Sequence, residues 1–304
     1  MTSSPIRLRV PATSANLGPG FDSLGLAVGV HLEVTAYPSE RNRFVYRGEG
    51  EVAATPDNLL HRGFAAACRA AGREPFPVTL EADNPIPLAR GLGSSSAALV
   101  AGAAAADQLL GGPLGRDGIF EVTVAIEGHP DNVGPAVYGN FTVSALGSNG
   151  NYLTRSLTIP PEWHLLFAVP DFQVYTEEAR RLLPLSYPRD AVVRTASRAA
   201  LWTLAVASNE PELLRTASLD LLHQPYRAPL LAGFEECLES AFAAGAYAVY
   251  LSGSGPTVGS VVADEALVAV RPALERYAGE GGRVLELRAT GGYEVVGRPL
   301  VTGR

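Results

Sequence analysis

Residues 97–106 read Ala-Ala-Leu-Val-Ala-Gly-Ala-Ala-Ala-Ala, and this run of small side chains without a polar face constrains the fold more than any other stretch of the chain. Such a segment favours helix but has nothing to project into water, so it must lie buried with neighbours close on every side. What precedes it is equally restrictive. Pro85-Ile-Pro87-Leu-Ala-Arg90-Gly91-Leu92-Gly93-Ser94-Ser95-Ser96 feeds a glycine- and serine-rich turn into a helix that we read over 94–110. Glycines let backbone approach a ligand closely, the free amides of a first helical turn point outward, and the helix dipole favours negative charge there. The pattern predicts a rigidly held phosphate site, with serine hydroxyls as further donors or as a ligand for Mg²⁺. A plain serine N-cap would explain one glycine and one serine, not two and three within residues 91–96. A dinucleotide fingerprint is not met, because the run ends in Ser96 where glycine or alanine is required.

The chain has 304 residues, 47% hydrophobic and 18% charged, which is ample for two domains of ~150 residues and unlike a disordered chain. The net charge is −7 and no stretch concentrates basic residues, so a nucleic-acid backbone is excluded as a partner. All 24 basic residues are arginine. Without lysine there can be no Walker A loop, no pyridoxal Schiff base and no protein-kinase lysine. Cys68 and Cys237 sit in apolar helical patterns and read as packed thiols. No run reaches the ~18 apolar residues that span a bilayer, so the reading is a cytoplasmic protein without a membrane partner.

Strand patterns fall at residues 6–10, 30–36, 43–46, 78–82, 139–145, 153–157, 164–169, 246–251, 257–263 and 284–289. Helical periods fall at 58–71, 94–110, 115–126, 176–183, 190–207, 211–220, 229–244 and 265–277. The mixture predicts an α+β protein of two lobes, 1–155 and 156–304. Trp163 and Trp202 read as core or interface anchors, and His31, His61, His164 and His223 as structural or surface groups.

Three further blocks carry polar groups in glycine-punctuated segments. Residues 10–27, containing Asn16-Leu-Gly18-Pro-Gly20-Phe-Asp22, read as a polar loop between two strands. Ser252-Gly253-Ser254-Gly255-Pro256-Thr257 reads as strand, tight turn, strand. Glu127-Gly-His129-Pro-Asp131-Asn132 places four polar groups within six residues, and one histidine without cysteine argues against zinc.

In order and wording these four blocks resemble the GHMP kinase superfamily, whose ATP loop, Pro-x-x-x-Gly-Leu-Gly-Ser-Ser, is matched from Pro87 to Ser95 and works without the Walker lysine. Within it, Pro11-Ala-Thr-Ser-Ala-Asn16-Leu-Gly-Pro-Gly-Phe-Asp22 and Glu127-Gly-His129-Pro-Asp131-Asn132 resemble the homoserine kinases, as do the pieces around Arg180 and Arg227. The resemblance covers residues 6 to 263 and leaves the last forty residues without a motif. It implies a two-lobed GHMP-kinase fold, an N-terminal ATP-binding lobe and a C-terminal ferredoxin-like lobe, with ATP and L-homoserine as substrates and Mg²⁺ as cofactor.

By the same resemblance Arg180 and Arg227 would grip the homoserine carboxylate, Asp22 and Asn16 its ammonium, and Asn132, with His129 and Asp131 beside it, would orient its hydroxyl. Nucleotide would lie on Asn58, Pro87, Arg90, Gly91, Leu92, Gly93, Ser94, Ser95 and Ser96, backed by Gly253, Ser254, Gly255 and Thr257. Ser95 would hold Mg²⁺, with Glu127 preferred over Glu121 as its partner. Whether Asp131 acts as a general base is left open by the sequence. A sister kinase for mevalonate or phosphomevalonate would leave Asp22 and Asn16 without an ammonium, and a non-catalytic regulator would be expected to lack Ser95, Glu127 or Asn132. Family habit, together with the absence of any obvious exposed apolar helix in the sequence, suggests a homodimer.

Overall fold

Ile6, Leu8 and Val10 alternate with Arg7 and Arg9, and in the computed structural model, which describes residues 4–55 and 57–296, the first three are buried and the arginines exposed. This strand, β1 (Ile6–Ala15), pairs antiparallel with the long β2 (Leu24–Pro38). The register slips between Pro11 and Ala12, where a proline without an N–H is tolerated, and pairing resumes to Ala15 opposite Gly25. The polar loop expected over 10–27 therefore shrinks to residues 16–23, because Ala12, Ala15, Leu24, Leu26 and Ala27 are buried strand residues.

The first sheet is completed by β3 (Arg43–Gly48), β4 (Val78–Asn84), β5 (Phe141–Leu146), β6 (Tyr152–Leu157) and the late β11 (Glu294–Val295), in the order β11-β1-β2-β4-β3, with β5 paired to β2 and β6 to β5. Helices α1 (Leu59–Ala70), α2 (Ser94–Leu110), α3 (Gly115–Glu127) and α4 (Pro130–Tyr138) accompany it. The expected division at 155/156 falls inside β6, and β11 returns the chain to the edge of β1. The lobe ends at residues 1–3 and 297–304 lie outside the described residues.

The alanine-rich α2 is buried as its composition requires, and its closest neighbour is α1. A Cβ added at Gly102 would lie 2.0 Å from Leu60 O, and one at Gly63 would lie 2.2 Å from Leu99 O. The two helices therefore touch backbone to backbone. Gly102→Ala is expected to destabilise the protein by about 2 kcal/mol in denaturant titrations, overpacking outweighing the gain of about 1 kcal/mol in helix propensity. An unchanged or raised midpoint would contradict this close approach.

The second sheet is antiparallel in the order β10-β7-β9-β8, from β7 (His164–Val169), β8 (Ala248–Leu251), β9 (Val258–Val262) and β10 (Arg283–Leu287). With α9 (Phe234–Ala243) before β8 and α10 (Leu267–Ala278) between β9 and β10, this is the expected ferredoxin-like βαββαβ order. Between β7 and α9 the chain also builds α5 (Thr176–Arg181), α6 (Arg189–Ser208), α7 (Leu214–Ala217) and α8 (Gln224–Arg227).

Trp202 of α6 is fully buried, 6.0 Å from both Phe141 and Tyr250, so it joins the two sheets into one apolar core. Trp163 is also buried, with its indole N–H on Asn209. Contrary to the sequence reading, α6 does present apolar side chains to solvent, at Val192, Val193 and Leu204. Both cysteines are free and buried, and burial pushes their thiols up, to about 11 at Cys68 and about 12 at Cys237. Among the described residues no helix is long and apolar enough to cross a membrane.

Candidate active site

Gly93 adopts a left-handed conformation, φ 67°, and no side chain caps the α2 helix that starts after it. The amides of its first turn are thus left for a ligand. The loop before it is braced from the second lobe. Ser14 donates to Ser252 Oγ at 2.7 Å, Ser252 in turn donates to Gly91 O at 2.6 Å, and Gly253 N donates to Ala15 O at 3.0 Å. A side chain at Gly91 would strike Ser252 O at 2.3 Å. Gly253 and Ser254 line the cavity in front of this loop, whereas Gly255 and Thr257 do not.

Ser95 and Ser96 both donate to Glu127 Oε1, each at 2.8 Å. Glu127 is the last residue of α3, which Gly128 terminates in the left-handed region. Glu121, the competing carboxylate, is exposed on the same helix and does not line the cavity. Ser96 is fully buried and turned away from the cavity, while Ser94 Oγ accepts from Asn84.

The cavity measures about 320 Å³ and runs from this loop into both lobes. At one end Leu32, Phe44, Tyr46, Leu59, Leu60 and Ala82 form an apolar wall. Asn58, Pro87, Arg90 and Leu92 line it too. The Asn58 amide caps α1, accepting from Leu60 N at 2.8 Å and donating to Ala53 O at 3.2 Å. Arg90 directs its guanidinium to Glu49 and to Asp171, the latter at 2.6 Å, so its charge is already matched within the protein.

At the opposite end Arg180 holds Asp22 with two hydrogen bonds, of 2.5 and 2.9 Å. Arg227 is buried and donates to His223 Nδ1 at 3.0 Å and Gly253 O at 2.9 Å. Because arginine only donates, Nδ1 accepts, and the imidazole proton sits on Nε2, which donates to Gly18 O at 2.8 Å. Burial and the Arg180 charge lower Arg227 to about 10, which leaves it cationic at neutral pH. The ring of Phe21 lies between the two arginines, 5.2 Å from the Arg180 guanidinium and 5.4 Å from that of Arg227. Asn16 Oδ1 accepts from Asp22 N and its Nδ2 donates to Gly253 O, both at 3.0 Å, so its amide fixes the turn that presents Asp22.

Between the two ends stands the start of α4, a helix the sequence reading did not recognise because of Pro130 and Pro135 and the glycines at 128, 134 and 139. His129 Nδ1 donates to Asp131 Oδ1 at 2.5 Å. Burial opposes the charge on His129, but Asp131, Glu127 and Asp22 outweigh it and raise the imidazole. Asn132 Oδ1 accepts from Thr13 Oγ1 at 2.8 Å. Thr13 and Phe21 were not singled out by sequence reasoning. Nor was the apolar wall, whose members are scattered over 32–82 without a local pattern.

Residues 58–140 match the family described as GHMP kinases N terminal domain, and 204–278 match GHMP kinases C terminal. The chain is 50% identical over 287 residues to a homoserine kinase of Thermus thermophilus, covering 94% of this chain and 97% of the relative. The chain belongs to the homoserine kinase family. A homoserine kinase of Deinococcus radiodurans is 44% identical over 256 residues, covering 84% and 83% of the two chains. The crystal structure of a homoserine kinase from Cytophaga hutchinsonii superposes with a TM-score of 0.86 at 26% identity, covering 97% of this chain and 98% of that one. Membership of this homoserine kinase family carries ATP use with it, and it accounts for the phosphate-loop wording and the two-lobed architecture together.

Proposed function

We propose that this cavity transfers the γ-phosphoryl group of ATP to the side-chain hydroxyl of L-homoserine. The observation that carries the reading is the juxtaposition in one cavity of an uncapped helix N-terminus, Asn132, and a charge set complementary to an amino acid. The phosphates lie on Gly91, Gly93, Ser94 and Ser95, and the apolar wall from Leu32 to Ala82 takes the base. Arg180 and Arg227 receive the acceptor's carboxylate, and Asp22, fixed by Asn16, its ammonium. Asn132 orients the hydroxyl. Asp131 is buried beside Asn132 and accepts from His129 Nδ1, which fixes its carboxylate in place.

Ser95 and Glu127 offer hard oxygens side by side at the phosphate end, which suits Mg²⁺. The ion, when bound, neutralises phosphate charge. The chain's own contribution is alignment and exclusion of water, which is most of what a loose phosphoryl transition state requires.

The test is ADP release from Mg·ATP with L-homoserine, mevalonate, phosphomevalonate, galactose or no acceptor. Turnover with homoserine alone is expected. Turnover with another alcohol would overturn the acceptor, and silence throughout despite ATP binding would favour a regulator.

A further inference from the structure

We infer that Thr13 is a positioning residue, whose hydroxyl fixes the amide of Asn132 with its nitrogen presented to the reacting groups. The inference rests on the proposed role of Asn132 and extends it to a residue in another element. Thr13 is fully buried on β1. Its backbone N–H donates to Leu92 O at 3.1 Å, tying the strand to the phosphate loop. Its Oγ1 lies 2.8 Å from Asn132 Oδ1. Both side chains press on Gly93, where an added Cβ would come within 1.8 Å of Thr13 Oγ1 and 2.9 Å of Asn132 Oδ1.

An amide has one accepting and one donating end. With Oδ1 occupied by a hydroxyl donor, the free pole of Asn132 is Nδ2, which can only donate. Asn132 then does not remove the acceptor's proton. It donates instead to an oxygen, either of the incoming hydroxyl or of the transferring phosphoryl group. Thr13 touches neither substrate and acts only through this orientation. A free Asn132 side chain would sample both amide poses, half of them presenting oxygen to an anionic phosphoryl group.

The test is a double-mutant cycle on steady-state kinetics. Thr13→Val, isosteric but without a donor, is expected to lower kcat about tenfold, the size of one hydrogen bond, while KM for both substrates changes less than twofold. Thr13→Ser retains the donor and is expected to stay within threefold of the parent. In an Asn132→Ala background, Thr13→Val is expected to cost nothing further. Independent losses that multiply, an effect confined to KM, or a Thr13→Ser variant as impaired as Thr13→Val would each overturn the inference. Thr13→Ala replaces Thr13→Val in the cycle if the valine variant does not fold.

The cycle is run with whichever acceptor the parent turns over, so a wrong acceptor and a wrong role for Thr13 give different results. A readout independent of turnover is the ¹⁵N–¹H side-chain amide pair of Asn132, identified by its loss in Asn132→Ala. It should move in Thr13→Val and stay in Thr13→Ser, and a pair indifferent to Thr13→Val would refute the contact.

Discussion

Glu127→Ala is expected to lower kcat by about a hundredfold to a thousandfold, the usual effect of removing one preorganised charge-stabilising group. Two hydroxyls at the start of α2 converge on this carboxylate. Its loss frees the Ser95 hydroxyl and removes the only negative charge adjoining it among the hydrogen bonds described. If the carboxylate helps hold Mg²⁺, the variant will also need a higher Mg²⁺ concentration for half-maximal rate, and Glu127→Asp will recover part of the loss. Titrating Mg²⁺ at saturating ATP for the three proteins separates this from simple misfolding. A variant within threefold of the parent, with an unshifted Mg²⁺ requirement, would remove Glu127 from the site. In that event the exposed Glu121 would not take its place, since it does not line the cavity.

The second large effect is expected at Gly93→Ala. A left-handed φ of 67° costs an alanine about 1–2 kcal/mol. The new methyl also meets Thr13 Oγ1 at 1.8 Å and Asn132 Oδ1 at 2.9 Å, so either the loop lifts or the two side chains are displaced. Each outcome misaligns the amides that receive phosphate or the amide that faces the acceptor. A displacement near 1 Å is enough to cost about a hundredfold in rate. We expect kcat to fall by at least that factor, with a drop in thermal midpoint of a few degrees. Full activity in a stable Gly93→Ala protein would show that the crowding above Gly93 has no bearing on turnover.

The legible parts of this protein were those in which chemistry is written contiguously. Gly91, Gly93 and the three serines announce a phosphate loop because the helix start and its hydroxyls are neighbours in sequence. The burial of α2 was equally plain, since alanine on every face has only one use. The contacts made at long separation were not visible. Nothing near Arg90 indicates that its charge is met by Glu49 and Asp171 from other elements. Asn58 is a helix cap as well as a cavity residue, and a motif match cannot distinguish the two uses. Thr13 escaped notice because it is one small residue in a strand whose partner, Asn132, lies 119 positions away. The start of α4 was hidden for another reason. Its prolines and glycines suggest a loop, yet Pro130 occupies the first helical position, where its missing N–H costs nothing.

The ferredoxin-like sheet carries an unusually long excursion between its first two strands, from β7 to β8, where one crossing helix would suffice. Arg180 and Arg227 both ride on that excursion, on α5 and α8, while the phosphate loop and Glu127 belong to the other sheet's helices. In the proposed reading the grip on the acceptor's carboxylate is thus housed apart from the phosphate loop, whereas Asn16, Asp22 and Asn132, assigned to its ammonium and hydroxyl, share the first lobe with that loop. Such a partition lets selection rewrite the carboxylate end of the acceptor without disturbing the part that handles ATP. In the laboratory, the same separation marks residues 170–247 as the stretch to exchange when altering how the acceptor's carboxylate end is gripped on this scaffold.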